Sequence, residues 1–440
     1  MTERTIQVEI LTRVEGEGGL LLKLRGSDVE RIELRIYEPP RFFEALLRGR
    51  PLEDVPDITA RICGICPVAY QMSSVHALEQ ALGVAVSPEV RRLRRLLYCG
   101  EWIESHALHV YLLNAPDFLG FDSGLDMASR YPEEVSRGLR MKKHGNQLIE
   151  ALGGRSIHPI NVAVGGFYRS PRRDELERLI PDFRWCVDAA IETVRWTASF
   201  DFPDFSRDYQ MVSLIHDTEY PMNEGDVGVL EAGPGPDGGR GAERIPVAEY
   251  ERQFREDHVA HSTALHSVRV GTGRPYLVGP LARVQLNWEH LSPTARELAR
   301  EFGFDRTCGN PFRTIVARSI ELVHAYEEAL EILGSYEPAR PARNTYAYRA
   351  GAGCAATEAP RGLLFHRYTV DEGGRVREAR IVPPTSQNQG QIEADLRAWV
   401  PHVATADDAT LARQCENLVR CYDPCISCST HFLNVRVERA

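Results

Sequence analysis

Long apolar runs are missing from this 440-residue sequence, and so is any excess of positive charge. No stretch stays apolar for the roughly 20 residues that a membrane-spanning helix needs. The opening MTERTIQVEI lacks the basic-then-apolar pattern of a secretion signal, so a cytoplasmic protein is expected. The formal net charge of −10 and pI near 5.8 argue against a nucleic-acid backbone or an anionic membrane as partner. Arginines are dispersed apart from RRLRRL at 91–96, which reads as the solvated face of a helix. Also missing are internal repeats, low-complexity tracts and a glycine-rich dinucleotide fingerprint following a strand.

What remains is an ordinary globular composition, 43% hydrophobic and 26% charged, in a chain long enough for one deep core or several smaller ones. Residues 5–37 alternate apolar and polar around a Gly-Ser-Asp turn, predicting a β-hairpin. From Pro67 the period becomes helical (Val68, Met72, Val75, Leu78, Leu82) and Gly83 ends the run. Ser87-Pro88-Glu89 reads as a helix start, with the helix continuing to Pro116. Further helices are expected over 136–152, 174–199, 244–268, 291–302, 312–333 and 407–421, loops over 231–242 and 336–344, and a second hairpin over 363–382. The predicted fold is mainly α: a buried helical bundle between small α/β ends. It divides into 1–60, a helical core over 61–340, a C-terminal α/β part over 341–431, and an extension, 432–440.

Ten cysteines in a reducing compartment point to metal binding or catalysis more than to disulfides. Cys99, Cys186, Cys308, Cys354, Cys415 and Cys421 stand alone and read as small buried hydrophobes. The other four form two C-x-x-C pairs nearly a chain length apart, Cys63/Cys66 in RICGICPVAY and Cys425/Cys428 in DPCISCSTHF. Four thiolates complete a soft-metal site. A zinc clip joining the two ends is one reading. Zinc ribbons, however, keep their knuckles within about 15–20 residues, and zinc leaves the flanking residues unexplained.

Those flanks carry a resemblance. RICGIC at 61–66 and DPCISCSTH at 423–431 closely resemble the two metal-binding signatures of the nickel–iron hydrogenase large subunit. RVEG (13–16), EPPRFFEALLRG (38–49), ESHALHVYLLNAPD (104–117), SIHPINVAVGGF (156–167) and TEAPRG (357–362) follow in that family's order, so the match spans the chain. The wording looks most like the alpha subunit of the cytosolic, nicotinamide-coupled sulfhydrogenase-type branch. The quinone-side relative in respiratory complex I resembles the fold but lacks the four cysteines.

The resemblance implies a hydrogenase that cleaves H2 reversibly to protons and electrons. Cys63 and Cys425 would be terminal on nickel, while Cys66 and Cys428 bridge to an iron carrying one CO and two cyanides. Arg361 would hang over the open position between the metals, held by Asp117 and Asp423. Thr385, beside Pro384, would donate to a cyanide, and Glu15 would take the proton from Cys425. Glu44, His431 and the backbone carbonyl of Ile381 would hold a magnesium or similar cation. His106, His109 and His158 read as hydrogen-bonding residues without metal. One position departs from the family: Tyr70 stands where a histidine usually donates toward a bridging sulfur. No cysteine quartet is spare, so iron–sulfur clusters, flavin and NAD(P) belong on partner subunits, beginning with an iron–sulfur small subunit. The tail after His431 is expected to be removed by a maturation protease.

Overall fold

The computed structural model describes residues 3–231, 241–304 and 307–431. The extension at 432–440 and most of the expected loop at 231–242 lie outside the described residues.

The N-terminal alternation forms a three-stranded antiparallel sheet, Glu3–Val8, Gly18–Arg25 and Asp28–Ile36, one strand more than a hairpin. Its inner face buries Leu20, Leu22, Leu24, Leu34 and Ile36. Helix Pro67–Leu82 starts directly after Cys66 and stops at Gly83, whose left-handed φ of 64° closes the C-terminus. It packs on the strand Gly351–Ala359, where a Cβ at Gly353 would collide with the Ala77 carbonyl. Only glycine allows that approach.

The middle of the chain is helical. Pro88–Leu108 packs against Pro132–Gly153 and Thr314–Gly334, and the last of these also packs against Ile180–Ala198. Gly100 and Gly145 face each other across the first pair, and a Cβ on Gly145 would stand 2.8 Å from the Glu104 amide nitrogen. The expected helix from Pro88 to Pro116 is interrupted: a π-helical turn at His109–Asn114 precedes a short helix, Ala115–Leu119. Pro116 supplies no amide hydrogen to continue the regular ladder. The 174–199 helix is likewise two, Arg173–Glu177 and Ile180–Ala198, with Pro181 opening the second.

Two expectations are overturned. Residues 244–268 hold the strands Glu243–Ile245, Phe254–Asp257 and His266–Arg269, with a 3-10 turn at Val247–Glu249 running into one α-helical turn at Tyr250–Gln253. Tyr250 stacks on Phe365 at 4.3 Å and on Phe254 at 4.8 Å, so the apolar spacing that reads as a helix serves packing against a neighbouring sheet. The arginine run is not a solvated face. Arg94 and Arg95 are buried, paired with Glu79 and Glu328 respectively.

The C-terminal part is the antiparallel sheet Gly351–Ala359, Gly362–Val370 and Val376–Val382, followed by helix Pro384–Val403, which the periodicity does not reveal, and helix Asp408–Cys421. No helix among the described residues is long and apolar enough to cross a membrane.

Candidate metal centre

The two cysteine pairs reach one point from opposite ends of the chain. Cys63 and Cys66 lie in the turn before helix Pro67–Leu82, and Glu101 from the next helix accepts from the amides of Val68 (2.6 Å) and Ala69 (3.1 Å), fixing where that helix begins. Cys425 and Cys428 follow helix Asp408–Cys421, and the segment pairs with the RVEG loop: the Ile426 amide donates to the Glu15 carbonyl at 2.8 Å. All four Sγ atoms lie within 4.8 Å of one another, and all four residues are buried. Cys63 and Cys425 Sγ stand 3.5 Å apart, Cys425 and Cys428 Sγ 2.7 Å. The amides of Ile65 and Cys66 donate to Cys63 Sγ at 3.3 and 3.2 Å.

Without a cation these thiols do not all ionise. Burial first, then the neighbouring thiols, pushes Cys425 well up. Cys428 is also raised, chiefly by burial. For Cys66 the contact with Cys425 favours the thiolate, yet Cys428, Cys63 and burial push it well above the usual range. Cys63 alone is held low: burial opposes its ionisation, but hydrogen bonds from the other three thiols and the charge of Arg361 overcome it. Four buried, converging thiols are the donor set that a soft cationic metal binds as thiolates, so the residues fit a nickel–iron centre.

Arg361 occupies the two-residue turn between strands Gly351–Ala359 and Gly362–Val370, where Gly362 takes a φ of 134° against Gly279. Its Nε donates to the Asp423 carbonyl at 2.8 Å and its Nη2 to Asp423 Oδ1 at 3.1 Å; Nη1 is buried with no hydrogen-bond partner among the described residues. Asp423 has a left-handed φ of 54°, uncommon for a residue with a Cβ, and that turn presents both its carbonyl and its carboxylate to the guanidinium. Burial opposes ionisation of Asp423, but Arg361, His109 and Arg318 keep its carboxyl below the ordinary value.

Asp117 does not hold Arg361. It pairs with Arg13 at 2.6 Å and with Arg420 through two hydrogen bonds at 2.7 and 2.8 Å. The second charge across Asp423 is Arg318, which sequence reasoning missed. It lies fully buried with Nη1 3.3 Å from Oδ2, and burial lowers it to about 10.

Glu15 Oε2 accepts from Cys425 Sγ at 3.0 Å and from the Ser427 amide at 3.1 Å. Thr385, in the first turn of helix Pro384–Val403 beside Pro384, accepts the Cys425 amide at 3.0 Å and keeps its own hydroxyl proton to donate. Glu44 Oε1 accepts the Ile381 amide at 2.8 Å, and Oε2 lies 3.4 Å from His431 Nε2. These three residues line a cleft of about 540 Å3 together with Cys428, Arg380 and Glu256, whose side chain is 4% exposed and which the sequence reading missed.

Tyr70 is buried, and its hydroxyl has no hydrogen-bond partner among the described residues. Burial, then the charges of the nearby cysteines, raises it well above a phenol's usual range, so it remains a neutral donor. Its ring lies 5.7 Å from that of His366, whose Nε2 is also buried and unpartnered. His106 bonds Glu321 at 2.9 Å, His109 the Arg420 carbonyl at 2.8 Å, and His158 the Ala60 carbonyl at 2.8 Å, so all three are engaged in hydrogen bonding. The six single cysteines form no disulfide; five are buried and Cys354 is half-buried.

Comparison with known proteins gives this geometry a family. The nickel-dependent hydrogenase family model matches residues 41–137. The chain is 34% identical over 443 residues to sulfhydrogenase 1 subunit alpha of Pyrococcus furiosus, with 98% of each chain covered. It is 27% identical over 481 residues to the NAD-reducing hydrogenase HoxS subunit beta of Cupriavidus necator, covering 98% of this chain and 95% of that one. The crystal structure of an NAD+-reducing nickel–iron hydrogenase in the H2-reduced state superposes with a TM-score of 0.84 at 26% identity, over 97% of this chain and 99% of that one. The chain belongs to the nickel-dependent hydrogenase family. Within it, fold and length correspond to the large subunit, an oxidoreductase component with a metal-binding cysteine quartet.

Proposed function

We propose that this chain splits and forms H2 and that a partner iron–sulfur subunit carries its electrons to or from NAD(P) on flavin-bearing partners. The observation that supports it most directly is the convergence of four buried thiols with a carboxylate bonded to one of them and a guanidinium fixed beside them. Cys63 and Cys425 would hold nickel, and Cys66 and Cys428 would be shared with an iron carrying CO and two cyanides. Bound there, the two metals would supply a redox-active Lewis acid for the overall conversion of H2 into two protons and two electrons.

The chain's own residues then have distinct tasks. Cys425 Sγ holds the proton, and Glu15 Oε2, already 3.0 Å away and steadied by the Ser427 amide, receives it. Arg361 stays charged and acts electrostatically, its orientation set by two bonds to Asp423. Thr385 would donate its hydroxyl proton to a cyanide. Glu44, His431 and the Ile381 carbonyl would hold magnesium or a similar hard cation.

Among the described residues no second cysteine quartet converges, which supports placing the iron–sulfur clusters on a partner. The name of the Cupriavidus relative, an NAD-reducing hydrogenase, and that of the superposed NAD+-reducing enzyme favour nicotinamide as the electron carrier. On this reading a protease removes residues 432–440, and active enzyme still carrying Ala440 by intact mass would exclude that step.

The test is to purify the chain with its native partners, measure nickel and iron, and assay H2-dependent reduction of NAD+ and NADP+. Serine at Cys63, Cys66, Cys425 or Cys428 is expected to abolish nickel retention and activity, because a hard hydroxyl ligates nickel poorly. Full activity in any one of these variants would sink the proposal.

A further inference from the structure

A second group of metal-ligating side chains lies apart from the cysteines. His261 sits in the loop after strand Phe254–Asp257, His266 opens strand His266–Arg269, and Glu393 projects from helix Pro384–Val403. One ligand atom from each lies within 4.8 Å of the other two. We propose that His261, His266 and Glu393 form a zinc site that clips this loop to the helix.

The chemistry of the set favours it. Two imidazoles and one carboxylate are a recurrent three-residue zinc donor set, leaving a fourth position for water. Zinc bonds of about 2.1 Å place tetrahedral ligands roughly 3.4 Å apart, and every pair of ligand atoms here lies within 4.8 Å. His261 Nε2 and Glu393 Oε1 are already 2.8 Å apart. The two rings meet at 81° with centroids 5.6 Å apart, an edge-to-face arrangement rather than a stack.

His266 is what a packing account leaves unexplained. It is 9% exposed, and its Nε2 is buried with no hydrogen-bond partner among the described residues, an arrangement that ordinarily costs about 1–3 kcal/mol. Gly390, one turn before Glu393, leaves room for the ring: a Cβ there would stand 3.7 Å from His266 Nδ1. Glu393 has the support expected of a ligand, since the Leu34 amide donates to Oε1 at 2.8 Å and fixes the carboxylate. With the side chains of His261 and Glu393 19% and 18% exposed, an ion has an entry path.

The clip would act where the chain needs it. Between the two histidines, the Thr263 amide donates to the Ile36 carbonyl at 2.8 Å, and the Thr263 carbonyl accepts the His431 amide at 3.0 Å. Ala264 bridges to Thr430. Zinc on His261 and His266 would therefore fix the loop on which the segment after Cys428 rests. Its role is structural and independent of the nickel chemistry.

The full assembly, purified without chelator, is assayed for zinc and nickel alongside His266→Ala, His261→Gln and Glu393→Gln. About one zinc per chain is expected in wild type, falling at least tenfold in each variant while nickel is unchanged. Cobalt replacing zinc should give visible d–d absorption without a sulfur-to-cobalt charge-transfer band, which separates this site from the cysteines. Zinc below about a tenth per chain in wild type overturns the proposal, as does zinc retained in the variants or a cobalt spectrum showing thiolate ligation. Should His266→Ala fail to fold, the two milder variants decide, since each keeps a side chain of similar size.

Discussion

Replacing Arg361 by lysine keeps a positive charge while changing its shape, and the structure says what that change removes. The guanidinium spends Nε and Nη2 on Asp423, at 2.8 and 3.1 Å, leaving Nη1 unpartnered in a side chain only 2% exposed. A lysine has one nitrogen. It can keep the ion pair with Asp423 or reach toward the Nη1 position, and cannot do both. The lost donor is charge-assisted, worth about 1.5–3 kcal/mol as a hydrogen bond. Deleting one preorganised electrostatic group typically costs about 10²–10³ in rate, or roughly 3–4 kcal/mol. The two ranges meet at about 3 kcal/mol, so H2 oxidation should fall about a hundredfold with nickel content unchanged. Dye-linked H2 uptake normalised to nickel measures it. A nickel-replete variant within a factor of two of wild type would refute the reasoning, and nickel lost in parallel with activity would mean that Arg361 holds the site together rather than acting on H2.

Glu15→Gln should retain nickel but slow H2/D+ exchange by about 10²–10⁴, because an amide cannot carry a proton onward from Cys425. Para/ortho-hydrogen conversion, measured beside it, shows whether H2 still splits; unchanged exchange would mean protons leave by another route. Tyr70→His should keep the metals and shift the midpoint potential of the nickel signals, since an imidazole beside the thiols can carry charge where the phenol cannot. Loss of nickel would show that Tyr70 is needed for assembly. For Glu328, burial raises the carboxyl, but Arg95 and His324 prevail and hold it at about 2, below the ordinary 4.5. Because the folded value is depressed, its stabilisation, about 3 kcal/mol, is complete above pH 4.5 and disappears as pH falls toward 2. Denaturant unfolding of wild type and Glu328→Gln should therefore converge over that interval, and a constant difference would contradict the pairing.

The site was legible in the sequence where chemistry dictates both residue type and spacing. Two C-x-x-C pairs together make a complete soft-metal donor set, and the family motifs around them brought Arg361, Glu15, Thr385 and Asp423 into view. The partners of charged groups were not legible, since a carboxylate's partner is decided by the fold. Asp117 stands in a motif beside the metal-site helices, yet its charge goes to Arg13 and Arg420. Arg318 and Glu321 sit in a helix that also carries Glu327, Glu328 and Glu331, with nothing to distinguish them from surface residues, although both are fully buried. Helix Pro384–Val403 escaped the periodicity because polar residues bury its inner face: Gln387 donates to the Leu363 carbonyl, and Asn388 both accepts from and donates to Val278.

These hidden elements share a physical logic. Arg283 is held by Glu321 through two bonds of 2.7 Å and by Glu358 at 3.1 Å, and His106 adds to Glu321, all with no exposed side-chain surface. Arg283 also donates to the carbonyls of Ala359 and Pro360 at 2.8 and 3.0 Å, the residues immediately before Arg361. A buried ion-pair network of this kind is weak evidence for stability, because replacing it with well-packed apolar groups is often neutral or better. Its value here is positional. Apolar packing would tolerate small sliding of the turn, whereas directional bonds to two successive carbonyls fix the backbone from which the guanidinium projects. Asp423 fixes the other end of the same side chain, so Arg361 is held from both sides before any substrate arrives. The charges buried around this centre are thus explained by the precision its chemistry requires.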